Sequence, residues 1–210
     1  PNALEEEMAD IKSYGIDISP NNLGISEAAS LVLPHNIMQD GMRELGNGKQ
    51  GSTKRGIAYV AADKFARSGI FLHQLESDPA LVRDIISEGV NNTNKDLRRI
   101  GSIEAQKLIR DPGEAYRSWI TQAKTLLPFM VNTVSLVGDT MRLGDRILAE
   151  GAQSIGLDID HGIRSENTSS LTGVAGAQQS LGIGPKDIGN IYGVAKLIKS
   201  RVGGTKDSFP

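Results

Sequence analysis

The sequence predicts an α/β fold, a central mixed sheet covered by many helices. Three observations point to it. Apolar residues recur at helical spacing between start and stop signals, as in Leu4–Tyr14, His35–Leu45 and Asp78–Val90. Short apolar runs bounded by glycine, proline or charge read as buried strands, at Leu31–Leu33 and Ile147–Ala149. The chain has 210 residues, enough for a single domain with a real core.

Taken in order, Leu4 to Tyr14 places Leu4, Met8 and Ile11 on one face. Glu5, Glu6 and Glu7 load the first turn as a solvated face that suits the helix dipole, and Gly15 stops the helix. Ile16 to Pro20 is extended and turns at Pro20-Asn21-Asn22. Leu31-Val32-Leu33 ends at Pro34, and His35 to Leu45 is helical. Asp78 reads as the N-cap, with Pro79 in the first turn, of a helix reaching Val90. A second, charged and surface-facing helix is expected over Leu97–Arg110. Pro112 starts a third, which runs through Trp119 to Phe129. The lone Trp119 reads as a core or interface anchor. From Ile191 through Ile198 a long strand is expected, ending at Arg201-Val202-Gly203.

Composition excludes several classes. Hydrophobic residues make up 39% and charged residues 23%, which describes a globular chain and not a disordered one. The net charge of −2 gives no basic footprint for nucleic acid or a membrane surface. No run approaches the length of a membrane span, and no signal-peptide pattern is visible. There is no cysteine, hence no disulfide, thiolate metal site or thiol nucleophile, which fits a cytoplasmic protein. His35, His73 and His161 lack metal-ligand spacing. The chain begins at Pro1 and stops at Ser208-Phe209-Pro210, so it is expected to be an internal piece of a longer protein.

Two stretches carry chemistry. Gly46 to Gly56 reads G-N-G-K-Q-G-S-T-K-R-G and contains G-x-G-x-x-G at Gly46, Gly48 and Gly51. A nicotinamide-dependent oxidoreductase would need a strand before it, whereas a helix is expected there. The Walker pattern fails because Lys49 precedes the last glycine. What remains is either a flexible loop or a loop of N–H groups and hydroxyls leading into a helix, which suits a phosphate. The second stretch, Ile147 to Gly162, reads I-L-A-E-G-A-Q-S-I-G-L-D-I-D-H-G. A short strand leads to Gly151, where backbone can approach a ligand, and to Gln153, whose amide both donates and accepts and so can read a base edge. Leu157 to Asp160 alternates apolar and acidic like a second extended piece, turning at His161-Gly162. Asp158 and Asp160 could form a magnesium site, but a structural, hydrogen-bonded role is favoured. The hydroxyl run Thr168-Ser169-Ser170 precedes a small-residue helix, where it can cap the helix or bind an anion.

E-G-A-Q-x-x-x-L-D-I-D-H-G resembles the central motif of the adenylosuccinate synthetase family. The segment from Gly51 to Gly69 is similar to the family's G-T-T-x-R-G-I-G-P-A-Y-x-D-K-x-A-R-R-G, with Thr53, Arg55, Gly56, Asp63, Lys64 and Arg67 in register. Leu181–Pro185 and Ile191–Val194 continue in register with G-L-G-I-G-P and V-Y-G-V. The resemblance implies an incomplete P-loop-NTPase-like fold and a helix over the β-branched run Val131–Val137. It implies a purine-biosynthetic ligase that joins L-aspartate to IMP with GTP and Mg2+, as a homodimer. Its IMP-binding residues would be Thr53, Thr168 and the partner's Arg67 at the 5′-phosphate, Gln153 and Leu157 at the base, and Val202 and Gly203 at the ribose. Catalytic residues and the Mg2+ contact lie in an N-terminal phosphate loop, and the aspartate- and guanine-binding segments lie beyond Pro210, so none is expected here. The departures are Ala58 and Tyr59 for Gly-Pro, Ser68 for the second Arg, Leu171 for Asn, and Ile163–Asn167 for the aromatic-proline piece. The R-V-G-G-T end resembles the shorter archaeal and phage-encoded members, some phage ones of which use dGMP. The rival is a catalytically inactive nucleotide-binding or dimerising relative.

Overall fold

The computed structural model describes residues 1–45, 52–163 and 167–197. The glycine loop from Gly46 to Gly51, together with Val202 and Gly203, lies outside the described residues. Two compact units divide the chain: Pro1–Gly48 with Lys54–Thr133, and Lys49–Thr53 with Val134–Pro210.

The first unit is built on helices whose ends are written in the sequence. Helix α1 (Asn2–Ser13) stops where Gly15 takes a φ of 81°. The chain then turns as expected at Pro20–Asn22, with the Asn22 side chain accepting from Ser19 N–H and donating to the Asp17 carbonyl. Strand β1 (Ile25–Ser26) pairs in parallel with β2 (Met130–Val131), and this two-stranded sheet is the one formed among the described residues. Leu31 and Leu33 are buried, but Leu31–Leu33 joins no strand. Its backbone instead ties to the segment at Ile70, with Leu31 N–H donating to the Ile70 carbonyl at 2.9 Å.

Helices α2 (Pro34–Arg43), α3 (Ile57–Ala66), α4 (Gln74–Ser77), α5 (Pro79–Ile100), α6 (Ile103–Leu108) and α7 (Pro112–Lys124) complete the unit. Asp78 caps α5 by accepting from Leu81 N–H at 3.1 Å, and Asp111 caps α7 by accepting from Glu114 N–H at 2.7 Å. Each cap satisfies an amide the first helical turn leaves unpaired. Helix α5 is the spine. Val82, Ile86, Val90 and Leu97 are fully buried along one stripe, packed against α2, α6 and α7. Trp119 is buried and its indole N–H donates to the Val32 carbonyl at 2.7 Å, the core anchor the sequence implied.

Helix boundaries differ from expectation: the helix expected through Phe129 ends at Lys124, with a 3-10 turn over Leu127–Phe129, and the expected Leu97–Arg110 helix is split at Gly101 between α5 and α6. The expected break between Val90 and Leu97 does not occur, and α5 runs unbroken to Ile100, where Gly101 ends it with a φ of 68°. The polar run Asn91–Asn94 lies between the two helices the sequence predicts. In the fold, Asn94 is buried and pairs with Arg110 through both amide atoms, at 2.7 and 3.1 Å, while Thr93 donates to the Gly89 carbonyl at 2.8 Å. A tertiary partner for Asn94 removes its cost inside a helix. Leu97 is therefore core, not surface.

Gly89 sits in mid-helix because α2 comes close there. A Cβ at this position would strike the His35 ring, with Cγ at 2.5 Å. Burial lowers the pKa of His35 from its ordinary value, and Asp63 opposes that. Gly89→Ala gains about 1 kcal/mol of helix propensity. Overpacking against the buried ring costs about 1 to 3 kcal/mol and wins. Urea unfolding of this variant is expected to show a net loss of stability; a gain would show that the ring moves freely.

The second unit contains most of α8 (Thr133–Arg142), which confirms a helix through most of Val131–Val137, and α9 (Val174–Leu181). Short 3-10 turns occur at Ile155–Leu157 and Pro185–Asp187. Three expected strands are not formed here. Ile147–Ala149, Leu157–Asp160 and the described part of Ile191–Ile198 carry no strand pairing. A strand needs a neighbour to take its N–H and C=O groups; none is present among the described residues for Ile147–Ala149 or 191–197, and Leu157–Asp160 bonds to Thr168 and Ser170 without forming a ladder. Leu148 is 84% exposed and Val194 98% exposed, so their apolar pattern has nothing to pack on. No helix among the described residues is long and apolar enough to cross a membrane.

Candidate functional site

The stretch from Ser154 to Ile163 folds around one carboxylate. Asp158 is buried, and its Oδ1 accepts from the backbone N–H groups of Asp160 at 3.0 Å and His161 at 3.1 Å. Its Oδ2 accepts from Thr172 N–H at 2.6 Å and from the Thr172 hydroxyl at 3.4 Å. The Thr172 N–H is the largest influence holding the carboxyl at a pKa of about 2; the Asp160, His161 and Gly173 amides act the same way, and burial opposes them. Both oxygens are filled by donors, so this aspartate is a structural hub, as the favoured reading had it. Among the described residues, no group of three or more His, Cys, Asp or Glu side chains could hold a metal ion.

The hub stitches two motifs together. Thr168 N–H donates to the Leu157 carbonyl at 2.7 Å, Ile159 N–H to the Ser170 carbonyl at 3.2 Å, and the Thr172 hydroxyl to the Ser154 carbonyl at 3.0 Å. Gln153 is exposed and accepts from the Ser170 hydroxyl at the outer limit of 3.5 Å. Leu157 and Thr168 are half-buried. Gly162 closes the turn where a Cβ would lie 2.5 Å from the Asp158 carbonyl oxygen and 2.7 Å from that of Gly156. The hydroxyl run does not cap α9. Its N-cap is Gly173, without a side-chain cap, and the hydroxyls of Ser170 and Thr172 turn back to the loop.

The structure thus brings Gln153, Leu157 and Thr168 into one loop cluster. Thr53 is exposed and belongs to the same compact unit, while Arg67 is exposed in the other. Among the described residues, the non-glycine residues with positive φ are Lys54, at 57°, and Arg67, at 63°. That conformation costs a side-chain-bearing residue about 1 kcal/mol or more and concentrates at functional positions. Both fall in the Gly51–Gly69 segment. Sequence reasoning missed Asn36 and Asp40, which hold that segment, and read Asp63 as a motif residue without its partner. Asp40 is buried and accepts from Gly56 N–H at 2.9 Å, and Asn36 donates to Asp63 at 2.7 Å. The available signal was a pair of polar residues one turn apart on the core-facing side of α2. Before the glycine loop stands helix α2, not a strand, which removes the nicotinamide-dinucleotide reading.

Comparison with known proteins agrees with this architecture. The family model for adenylosuccinate synthetase matches residues 1–208. The adenylosuccinate synthetase of Leuconostoc mesenteroides is 34% identical over 97% of this chain and 46% of its own length. That of Clostridium botulinum strain Langeland is 34% identical over all of this chain and 48% of its own. Among solved structures, the fully ligated adenylosuccinate synthetase from Plasmodium falciparum superposes with a TM-score of 0.70 at 27% identity, covering 88% of this chain and 42% of that one. A helix-rich α/β chain with a small parallel sheet, this protein belongs to the adenylosuccinate synthetase family. It spans about half the length of the curated relatives it matches.

Proposed function

We propose that this chain is the central, nucleotide-holding part of a purine-biosynthetic ligase that works as a cytoplasmic homodimer. In the reaction, the γ-phosphoryl group of GTP passes to the 6-oxygen of IMP, leaving GDP and 6-phosphoryl-IMP. The amine of L-aspartate then attacks C6, and phosphate leaves to give adenylosuccinate. The observation that carries this reading is the hub at Asp158, which draws the amide of Gln153, the apolar Leu157 and the hydroxyl of Thr168 into one loop cluster.

In this reading Gln153 donates and accepts at the base edge near the activated oxygen, and Leu157 lines the base. Thr53, Thr168 and the partner's Arg67 hold the 5′-phosphate, while Val202 and Gly203 flank the ribose. A guanidinium fork suits a phosphate, and positioning is much of phosphoryl-transfer catalysis. The donors around Asp158 leave it no free oxygen for a cation, so the described residues do not fit a Mg2+ site and no step is assigned to the metal here. The general base, the metal contact, most GTP contacts and the aspartate site are assigned to segments outside this chain.

Two measurements test the proposal. The complete protein should form adenylosuccinate from IMP, GTP and L-aspartate, and the 210-residue chain alone should not. Turnover by the chain alone would contradict the assignment of the catalytic groups elsewhere. Titrating the complete protein with IMP and with dGMP identifies the purine, and stronger binding of dGMP would replace IMP as the substrate.

A further inference from the structure

Helix α3 hangs from α2 at both ends. At its start, Gly56 has a φ of 78° and lies against the α2 backbone, where a Cβ would come within 2.9 Å of the Asn36 carbonyl carbon. There its N–H donates to Asp40 Oδ2 at 2.9 Å. Near its end, Asp63 Oδ2 accepts from Asn36 Nδ2 at 2.7 Å. The orientation of that amide is set on its other side, because Asn36 Oδ1 accepts from Leu33 N–H at 2.9 Å. Asn36 is 1% exposed and Asp63 half-buried, so this is a partly buried, charge-assisted bond.

Asp63 passes the constraint on. Its carbonyl accepts from Ser68 N–H at 2.9 Å and Gly69 N–H at 3.1 Å, folding the chain back immediately after Arg67. Gly69 packs so close that a Cβ there would be 3.3 Å from Lys64 N. Arg67, at the C-cap of α3, is left in its left-handed conformation. A shift of Asp63 therefore moves the turn that aims the guanidinium.

We propose that Asn36 and Asp63 are positioning residues for the nucleotide 5′-phosphate, acting through Arg67. The inference rests on the phosphate role proposed for Arg67 above. Asn36 fixes Asp63, Asp63 fixes the 67–69 turn, and the strained backbone of Arg67 is held without any contact between Asn36 and the nucleotide.

The test exchanges donor and acceptor in the complete protein. Asn36→Asp keeps the acceptor for Leu33 and sets two carboxylates against each other. It is expected to raise the KM for the nucleotide about tenfold while kcat stays within about twofold. Adding Asp63→Asn restores one donor and one acceptor in the opposite sense, and KM is expected to return to within about threefold of the parent. Should Asn36→Asp fail to fold, Asp63→Ala at its half-buried position carries the same expectation of a raised KM. Combining Asn36→Asp with Arg67→Ala should be no worse than Arg67→Ala alone, because the path runs through Arg67. The inference is overturned if Arg67→Ala raises KM but the exchange does not restore it, if the losses simply add, or if Asp63→Ala leaves KM unchanged. If Arg67→Ala itself leaves KM unchanged, the phosphate role of Arg67 is what fails.

Discussion

Asp158→Ala is expected to lower nucleotide affinity in the complete protein about a hundredfold, the loss typical of reacting groups displaced by about an ångström. The carboxylate is the common acceptor for the amides of Asp160, His161 and Thr172, and the last of these joins the hydroxyl segment to the Gln153–Gly162 segment. Without it, the two segments are joined by the Leu157–Thr168 and Ile159–Ser170 backbone bonds, the Thr172 hydroxyl bond to Ser154 and the long contact at Gln153, and the buried centre that aligns them is gone. Asp160→Asn is the control and is expected to change little, since Asp160 is exposed and contributes its N–H to the hub. The hub also sets an acid limit. Asp158 is held at a pKa of about 2, below its ordinary 3.8, so its contribution is complete above the ordinary value and is lost as pH falls through about 2. Amide exchange at Thr172 should stay slow in mild acid and accelerate between pH 4 and 2. In Asp158→Asn that transition should be absent, and its persistence would place the acid sensitivity in another group.

Arg67→Ala carries the second large effect. Loss of a guanidinium from a phosphate costs about 3 kcal/mol, or roughly two orders of magnitude in nucleotide KM. Arg67→Lys keeps the charge but not the fork and should fall between. The backbone supplies a further distinction. Arg67 has a φ of 63°, a conformation glycine adopts freely. Arg67→Gly should therefore be more stable than the parent by about 1 kcal/mol while losing the same nucleotide affinity as Arg67→Ala. A residue that strains the fold and serves a ligand gives opposite signs in the two measurements. Thermal unfolding and steady-state kinetics of the same preparation read both; a stability loss with unchanged KM would make Arg67 a purely structural residue.

Much of the fold could be read locally. Asp78, Gly15 and the apolar stripe of α5 act within a turn or two of where they stand, so caps and periodicity reported them. What failed depended on distant partners. The break expected near Asn91–Asn94 is absent because Arg110, far along the chain, satisfies Asn94. Ile147–Ala149 and Ile191–Leu197 have strand composition, but composition records a preference for pairing and cannot supply the neighbour. At the candidate site, Gln153, Leu157 and Thr168 were legible through motif resemblance. The reason they lie together was not, since it resides in backbone N–H groups gathered by Asp158, and backbone amides leave no trace in residue identity. Likewise Asn36 and Asp40 were passed over, and Asp63 was read only as a motif residue, because none shows its partner until α2 and α3 meet.

Subunit mixing tests most directly whether one mononucleotide is gripped by both protomers. Arg67→Ala and Gln153→Ala, each expected to be nearly inactive alone, would be combined and allowed to exchange subunits. If Arg67 serves the nucleotide read by the partner's Gln153, each mixed dimer carries one doubly defective and one intact site. Activity should then recover to roughly a quarter of the parent's, as random pairing in a two-fold dimer requires. Mixed dimers that form but recover nothing would contradict the account, because Arg67 and Gln153 would then belong to the same site within one chain or to no shared site at all.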